Sequence, residues 1–131
     1  MAIVRLDPFR EFATLVAERG NWVPPVDILE TEQHDLVLKA ELPDMTREDI
    51  EVIVEHHSLT IKGIKKPAAD VKEDQYRRIE RSYGTFSRTF TLPNTVDAGK
   101  VGAEYKNGVL TVKLPYREEA RPRTINVEVA A

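Results

Sequence analysis

Few side chains in this sequence could do chemistry at neutral pH. There are three histidines, His34, His56 and His57, and no cysteine. Neighbouring residues on a strand point to opposite faces, and His56-His57 falls at a predicted tight turn, so we do not expect this pair to converge on a metal ion. The sequence also has no Gly-x-Ser-x-Gly elbow, no phosphate-binding glycine loop and no His-Glu-x-x-His helix. It therefore predicts a protein that is not an enzyme, with no catalytic residue, no metal ligand and no cofactor.

Charge and composition exclude further classes of protein. The 131 residues include 19 basic and 22 acidic side chains, a formal net charge of −3, which gives no electrostatic reason to bind nucleic acid or an anionic membrane. No apolar stretch is long enough to span a bilayer, and charges interrupt the first residues, so no signal peptide is expected. The lack of cysteine is compatible with a reducing compartment. We expect a cytoplasmic protein without integral membrane contact.

A hydrophobic period of two residues dominates the middle of the chain. It is clearest over residues 36–42, 50–54, 85–92, 101–105 and 110–114. Asn107-Gly108 between two such runs is a strong signal for a tight hairpin. Thr46 to Asp49 resembles a short capped helical turn. Short strands with turn residues every 8 to 12 positions, as a rough spacing, are typical of an all-β protein built as an antiparallel β-sandwich.

The two terminal segments allow two interpretations each. Near the N-terminus, apolar residues recur at helical spacing until Pro24-Pro25, which predicts a short helical arm. The arm either packs permanently on the sandwich or meets other subunits and unfolded proteins. Near the C-terminus, Ile125 and Val127 alternate with polar residues after a proline-broken linker. They either form a last strand of the same sandwich or add to the sheet edge of another molecule.

Arg88 is a charge on an apolar face, because it alternates in phase with Phe86 and Phe90. A buried unpaired charge is costly. The side chain therefore reaches a carboxylate, such as Glu80 or an acid from a second chain, or it extends past its neighbours to water.

Several runs together resemble one known family. Ala103 to Leu110 matches the pattern A-x-x-x-N-G-V-L at every specified position, and residues 78–93 resemble the run that precedes it. Pro25 to Glu30 resembles the start of the family's domain, Asp7 to Glu11 its N-terminal arm, and Ile125 to Val127 its C-terminal anchor. On these motifs the chain is similar to the small heat-shock proteins, which are built on the α-crystallin domain.

The resemblance implies an immunoglobulin-like sandwich with a short N-terminal arm at 1–24, an α-crystallin domain at 25–115 and an extended C-terminal extension at 116–131. It also implies an ATP-independent holdase chaperone that binds partly unfolded proteins under heat or other stress and prevents their aggregation. ATP-driven chaperones would act downstream. The alternative is a monomeric co-chaperone or adaptor sandwich of the p23-like type.

The resemblance further implies where the partners bind. A dimer would form by strand exchange, in which a small strand near residues 75–78 pairs with residues 26–30 of a second chain, and higher oligomers would form through the C-terminal anchor. Valine at the second anchor position makes a smaller knob than isoleucine, so we expect weaker docking, and Val129 offers an alternative register. The expected dimer-interface residues are Val26, Ile28, Tyr76, Arg77 and Arg88. The anchor residues are Ile125 and Val127, and the groove that receives them is lined by Val52, Val54, Val101 and Ala103. The arm residues expected to contact clients or other subunits are Leu6, Phe9, Phe12 and Trp22.

Overall fold

The computed structural model describes residues 22–130, which fold into two antiparallel β-sheets. The strands are β1 (Val26–Glu30), β2 (Leu36–Glu41), β3 (Ile50–Glu55), β4 (Ser58–Lys65), β5 (Gly84–Thr91), β6 (Gly102–Lys106) and β7 (Val109–Leu114). One sheet has the order β1-β2-β7-β6 and the other the order β3-β4-β5. The predicted all-β sandwich is confirmed. The predicted helical arm, with Leu6, Phe9 and Phe12, lies outside the described residues.

The alternating residues face inward, as their spacing predicts. On β2, Leu38 and Ala40 are fully buried, and they lie opposite Val112 and Leu110 of β7. The three-stranded sheet contributes Leu59, Ile61 and Phe86 to the same core. Because each strand buries only one face, the two sheets must stack to remove these side chains from water.

Two tight hairpins fix the strand register. Asn107 and Gly108 connect β6 to β7 with φ angles of 54° and 75°, which confirms the predicted Asn-Gly turn. His56 and His57 connect β3 to β4 with φ angles of 48° and 60°, and both are exposed. The histidine pair is therefore a solvated turn, as the sequence indicated.

A short 3₁₀ helix, Arg47–Asp49, leads into β3. The Asp49 carboxylate accepts hydrogen bonds from the Thr46 backbone N–H at 3.2 Å and from the Thr46 hydroxyl at 2.9 Å, which confirms the predicted capped turn. The backbone bond from Thr46 and the bond to Lys66, whose Nζ lies 3.1 Å away, lower the pKa of Asp49. The carboxylate therefore stays charged and holds the turn closed.

This turn lies directly against the backbone of β4. A Cβ atom on Gly63 would come within 2.1 Å of the Asp49 carbonyl oxygen and 3.0 Å of the Phe86 ring. Glycine is therefore required at this position for close approach, and the turn and the strand cannot shift independently.

We predict that Gly63→Ala lowers the free energy of unfolding by about 1–3 kcal/mol, because the added methyl group overpacks a contact with backbone. The matched control is Gly102→Ala, where an added Cβ meets no atom within 4 Å. Urea denaturation of the two variants checks this. Equal midpoints for the two would contradict the close approach at Gly63.

Candidate functional site

The two sheets leave two edges where the sandwich could open. The strand orders place β1 and β6 at the ends of one sheet and β3 and β5 at the ends of the other. A hydrogen bond from Arg88 on β5 to Pro24, just before β1, places these two strands at the same edge. It follows that β3 and β6 form the opposite edge.

A strap formed by residues 22–25 closes the β1/β5 edge. Pro24 is fully buried, and the Pro25 carbonyl accepts a hydrogen bond from the Glu41 N–H of β2 at 3.0 Å. The Trp22 ring meets the Phe86 ring edge to face, with 5.4 Å between centroids. The strap thus touches strands of both sheets.

A buried lysine packs against the tryptophan of the strap. Lys65 is only 7% exposed, and its Nζ lies 4.7 Å from the centroid of the Trp22 ring. Burial, followed by the nearby charge of Arg81, lowers the pKa of Lys65. The electron-rich face of the indole offsets part of the cost of removing this cation from water.

Arg88 is held by this strap. Its Nη1 donates to the Pro24 carbonyl at 3.2 Å, and its guanidinium carbon lies 5.0 Å from the centroid of the Phe90 ring. Among residues 22–130 no carboxylate pairs with Arg88, and Glu80 instead pairs with Arg78 at 3.1 Å. The half-buried charge is thus satisfied by a carbonyl and an aromatic face, an arrangement that the sequence did not suggest.

The other predicted dimer residues occupy two separate places. Val26 is half-buried and Ile28 is 53% exposed on β1, whose outer edge pairs with no other strand of residues 22–130. Tyr76 and Arg77 follow a 3₁₀ helix, Glu73–Gln75. The segment 75–78 is therefore not a strand in the single chain, and its pairing with a second chain stays a prediction.

The opposite edge, between β3 and β6, is open. Val52 and Val54 on β3 lie opposite the buried Ile61 and Leu59 on β4, so they face the space between the sheets. On β6, Ala103 lies opposite the buried Val112 in the same way. The predicted groove residues are half-buried at Val52, Val54 and Val101 and exposed at Ala103. The structure therefore brings apolar side chains of two edge strands to one open rim, and their role as a groove stays a prediction.

Tyr105 fixes one wall of this rim, and the sequence reasoning missed it. Its hydroxyl donates to the Leu42 carbonyl and accepts a hydrogen bond from the Met45 N–H at 3.3 Å. These bonds tie β6 to the segment that connects the two sheets. A tyrosine on the inward phase of a strand was the available signal, because its hydroxyl needs a partner when the ring is buried.

The C-terminal tail presents apolar side chains to solvent. Ile125, Val127 and Val129 are 75%, 86% and 92% exposed, and they lie outside every strand. The tail is therefore not a last strand of its own sandwich, which was one of the two interpretations. The three side chains alternate with polar residues in the sequence, and each would gain about 1.5–3 kcal/mol on burial.

Residues 22–130 contain neither a metal-binding cluster nor a membrane-spanning helix. No group of three or more histidine, aspartate or glutamate side chains there is arranged to hold a metal ion. None of the helices in this range is long and apolar enough to cross a membrane.

Comparisons with known proteins all point to one family. The Hsp20/alpha crystallin family model matches residues 27–129. Small heat shock protein C2 of Rickettsia felis is 34% identical over 125 residues, which cover 93% of this chain and 80% of that protein. The 17.8 kDa class I heat shock protein of Arabidopsis thaliana is 45% identical over 123 residues, 89% of this chain and 77% of that protein.

A solved structure extends the comparison to three dimensions. The small heat-shock protein of Xylella fastidiosa matches with a TM-score of 0.70 and 40% sequence identity, covering 84% of this chain and 100% of that chain. It is described as having a distinct high order structure.

We predict that Arg88→Ala loosens the strap and shifts the fluorescence emission of Trp22, the only tryptophan, to longer wavelength. The reason is that the variant loses both the bond to Pro24 and the contact with Phe90. Arg123→Ala is the matched control, because Arg123 is exposed and lies in the C-terminal tail, outside both the strap and the predicted dimer interface. Parental emission from Arg88→Ala would show that the strap is held without this arginine.

Proposed function

Because the chain belongs to the Hsp20/alpha crystallin family of small heat shock proteins, a family of chaperones, we propose that it is an ATP-independent holdase that binds partly unfolded proteins and prevents their aggregation. The observation that carries the proposal is the open β3/β6 edge, where half-buried valines line a rim. Unfolding proteins expose apolar side chains and unpaired strands. An edge that offers both apolar contacts and free backbone groups suits such segments.

The same edge receives the tail of another subunit. In this proposal Ile125 and Val127 insert between β3 and β6, adding a short strand to the edge. Two buried side chains contribute roughly 3–6 kcal/mol before the cost of ordering the tail, so a single docked tail is weak and exchangeable. Heating would release tails and expose the grooves to clients. Binding would therefore need neither a nucleotide nor a chemical step.

Dimer formation would use the other edge. The free side of β1 offers residues 26–30 to segment 75–78 of a second chain, as strand exchange requires. Arg88 supports this arrangement because it holds Pro24, the residue two positions before β1. In this way the interface arginine would position the strand that pairs rather than form the pair itself.

Other expectations from the sequence stay predictions. The client contacts of Leu6, Phe9 and Phe12 concern residues outside the described range, and the downstream ATP-driven chaperones and the cytoplasmic location stay predictions. Trp22 packs on Phe86 and Lys65 as part of the strap, and its expected contact with clients also stays a prediction.

A monomeric p23-like adaptor is the second candidate. The exposed, alternating tail favours assembly over this alternative, because a monomer gains nothing from three solvent-exposed apolar side chains in phase. Burial of these side chains in another subunit removes their apolar surface from water, which is favourable.

We predict that the protein suppresses the light scattering of a heat-labile enzyme at near-stoichiometric ratios without ATP. Val54→Ser, in the groove, should require severalfold more chaperone for equal suppression. Ile53→Ser, on the outer face of the same strand, is the control. No suppression by the parent protein at any temperature would reject the holdase and favour the adaptor.

We predict that Ile125→Ala combined with Val127→Ala shifts the oligomer to dimer-sized species, because both anchor side chains are lost. Asn126→Ala, which changes the opposite face of the same segment, should keep the parental mass. Native mass spectrometry or light scattering after size exclusion measures this. A parental mass for the double variant would contradict the proposed anchor role of Ile125 and Val127.

A further inference from the structure

Arg121 ties the start of the tail to the turn between β1 and β2. Its Nη2 lies 2.8 Å from Asp35 Oδ1, and its Nη1 donates to the Gln33 carbonyl at 2.8 Å. Its Nε lies 3.2 Å from Glu118 Oε2. The planar guanidinium can make these contacts at once because its donors are held in a fixed fork.

Asp35 is fixed on its own side of this contact. Its Oδ1 also accepts a hydrogen bond from the Tyr116 N–H at 3.2 Å, and its backbone is held in the turn by two bonds with Thr31. The Asp35 and Arg121 side chains are 30% and 28% exposed. Partial burial and several shared bonds make this pair less easily screened than an ordinary surface ion pair. We call the Asp35–Arg121 pair the clasp.

The clasp marks the point where the chain leaves the domain. Before it, Tyr116 bridges to Val96, and Arg117 is held through its backbone N–H and its side chain. After it, every residue from 122 to 130 is exposed. Arg121 has φ −75° and ψ 144°, the extended conformation favoured before a proline, here Pro122. The direction of exit is therefore also restricted.

We propose that Asp35 and Arg121 are positioning residues that set the free length of the tail, and with it the distance over which one subunit reaches another. The inference rests on the proposed docking of Ile125 and Val127. With the clasp closed, Ile125 can lie at most about 13–14 Å from Arg121 along an extended chain. Residues 116–121 then belong to the rigid part of the subunit, although the sequence placed them in the flexible extension.

Opening the clasp lengthens the tether. The last firmly held residue becomes Arg117, and the maximum reach to Ile125 doubles to about 26–29 Å. The effective concentration of a tethered group falls roughly as the −3/2 power of tether length, so a doubled tether lowers it about threefold. A longer tether also accepts a wider range of subunit separations. Clasp opening should therefore loosen docking and broaden the distribution of oligomers.

The test compares Arg121→Ala with Arg123→Ala in the full chain. Both variants remove one positive charge from the extension, but Arg123 lies in the exposed tail beyond the clasp. We expect about threefold faster subunit exchange and a broader mass distribution for Arg121→Ala, measured by native mass spectrometry of labelled and unlabelled mixtures. Arg123→Ala should behave as the parent. Thermal unfolding of the domain should be nearly the same in all three proteins.

A second variant changes Asp35, the other residue of the clasp. Asp35→Asn removes the charge that Arg121 pairs with, while its amide oxygen can still accept the Tyr116 bond. It should change the exchange rate in the same direction as Arg121→Ala, and by less.

The outcomes separate this inference from the proposed function. If Ile125→Ala with Val127→Ala leaves the mass unchanged, the anchor is wrong and the clasp proposal is overturned with it. If that double variant dissociates the oligomer but Arg121→Ala exchanges no faster than Arg123→Ala, only the clasp proposal is overturned. Faster exchange in both Arg121→Ala and Asp35→Asn supports it.

Discussion

The structure depends on one constraint, which is that a small two-layer sandwich cannot cover its own edges. Four strands face three, and the inward side chains of the outermost strands have neighbours on one side only. Val52 and Val54 face inward like the buried residues opposite them, yet both keep part of their surface in water. The binding surfaces proposed here are the places where this incomplete core reaches solvent.

The chain treats its two edges differently. At the β1/β5 edge, a short strap places a buried proline and a tryptophan over the opening and uses two cations, Arg88 and Lys65, to hold them. At the β3/β6 edge, Tyr105 fixes the rim without covering it. The opening between the sheets at the β1/β5 edge is thus covered from within the chain, while the outer hydrogen-bonding side of β1 stays free of any other strand in the described part of the chain. The β3/β6 edge is kept open and firm, as a surface for reversible binding requires.

Much of the fold could be predicted from the sequence because the signals for its strands and turns are local. The turn residues Asn107-Gly108, the capped turn at Thr46 and the alternation of Val52 with Val54 each depend on a few neighbouring positions. The Pro24 carbonyl that Arg88 binds and the Asp35 carboxylate that Arg121 binds lie 64 and 86 residues away in the sequence, and no local pattern specifies such contacts. The proposed strand at 75–78 depends on another chain, so a single chain gives it no partner. Prediction therefore succeeded within strands and turns, and it did not identify the contacts that Arg88 and Arg121 make with distant segments.

The order of strands also has a consequence for how the chain becomes folded. The sheet β3-β4-β5 is continuous in sequence, from residue 50 to residue 91, and can form from near neighbours. The other sheet requires β2 to pair with β7 after a separation of about 70 residues, which costs loop-closure entropy and slows folding. During synthesis, β2 can pair with β1, but its other side stays without a partner until residues 109–114 have left the ribosome. The chain itself then exposes the free edge of an apolar strand, the same kind of surface that it is proposed to shield on other proteins.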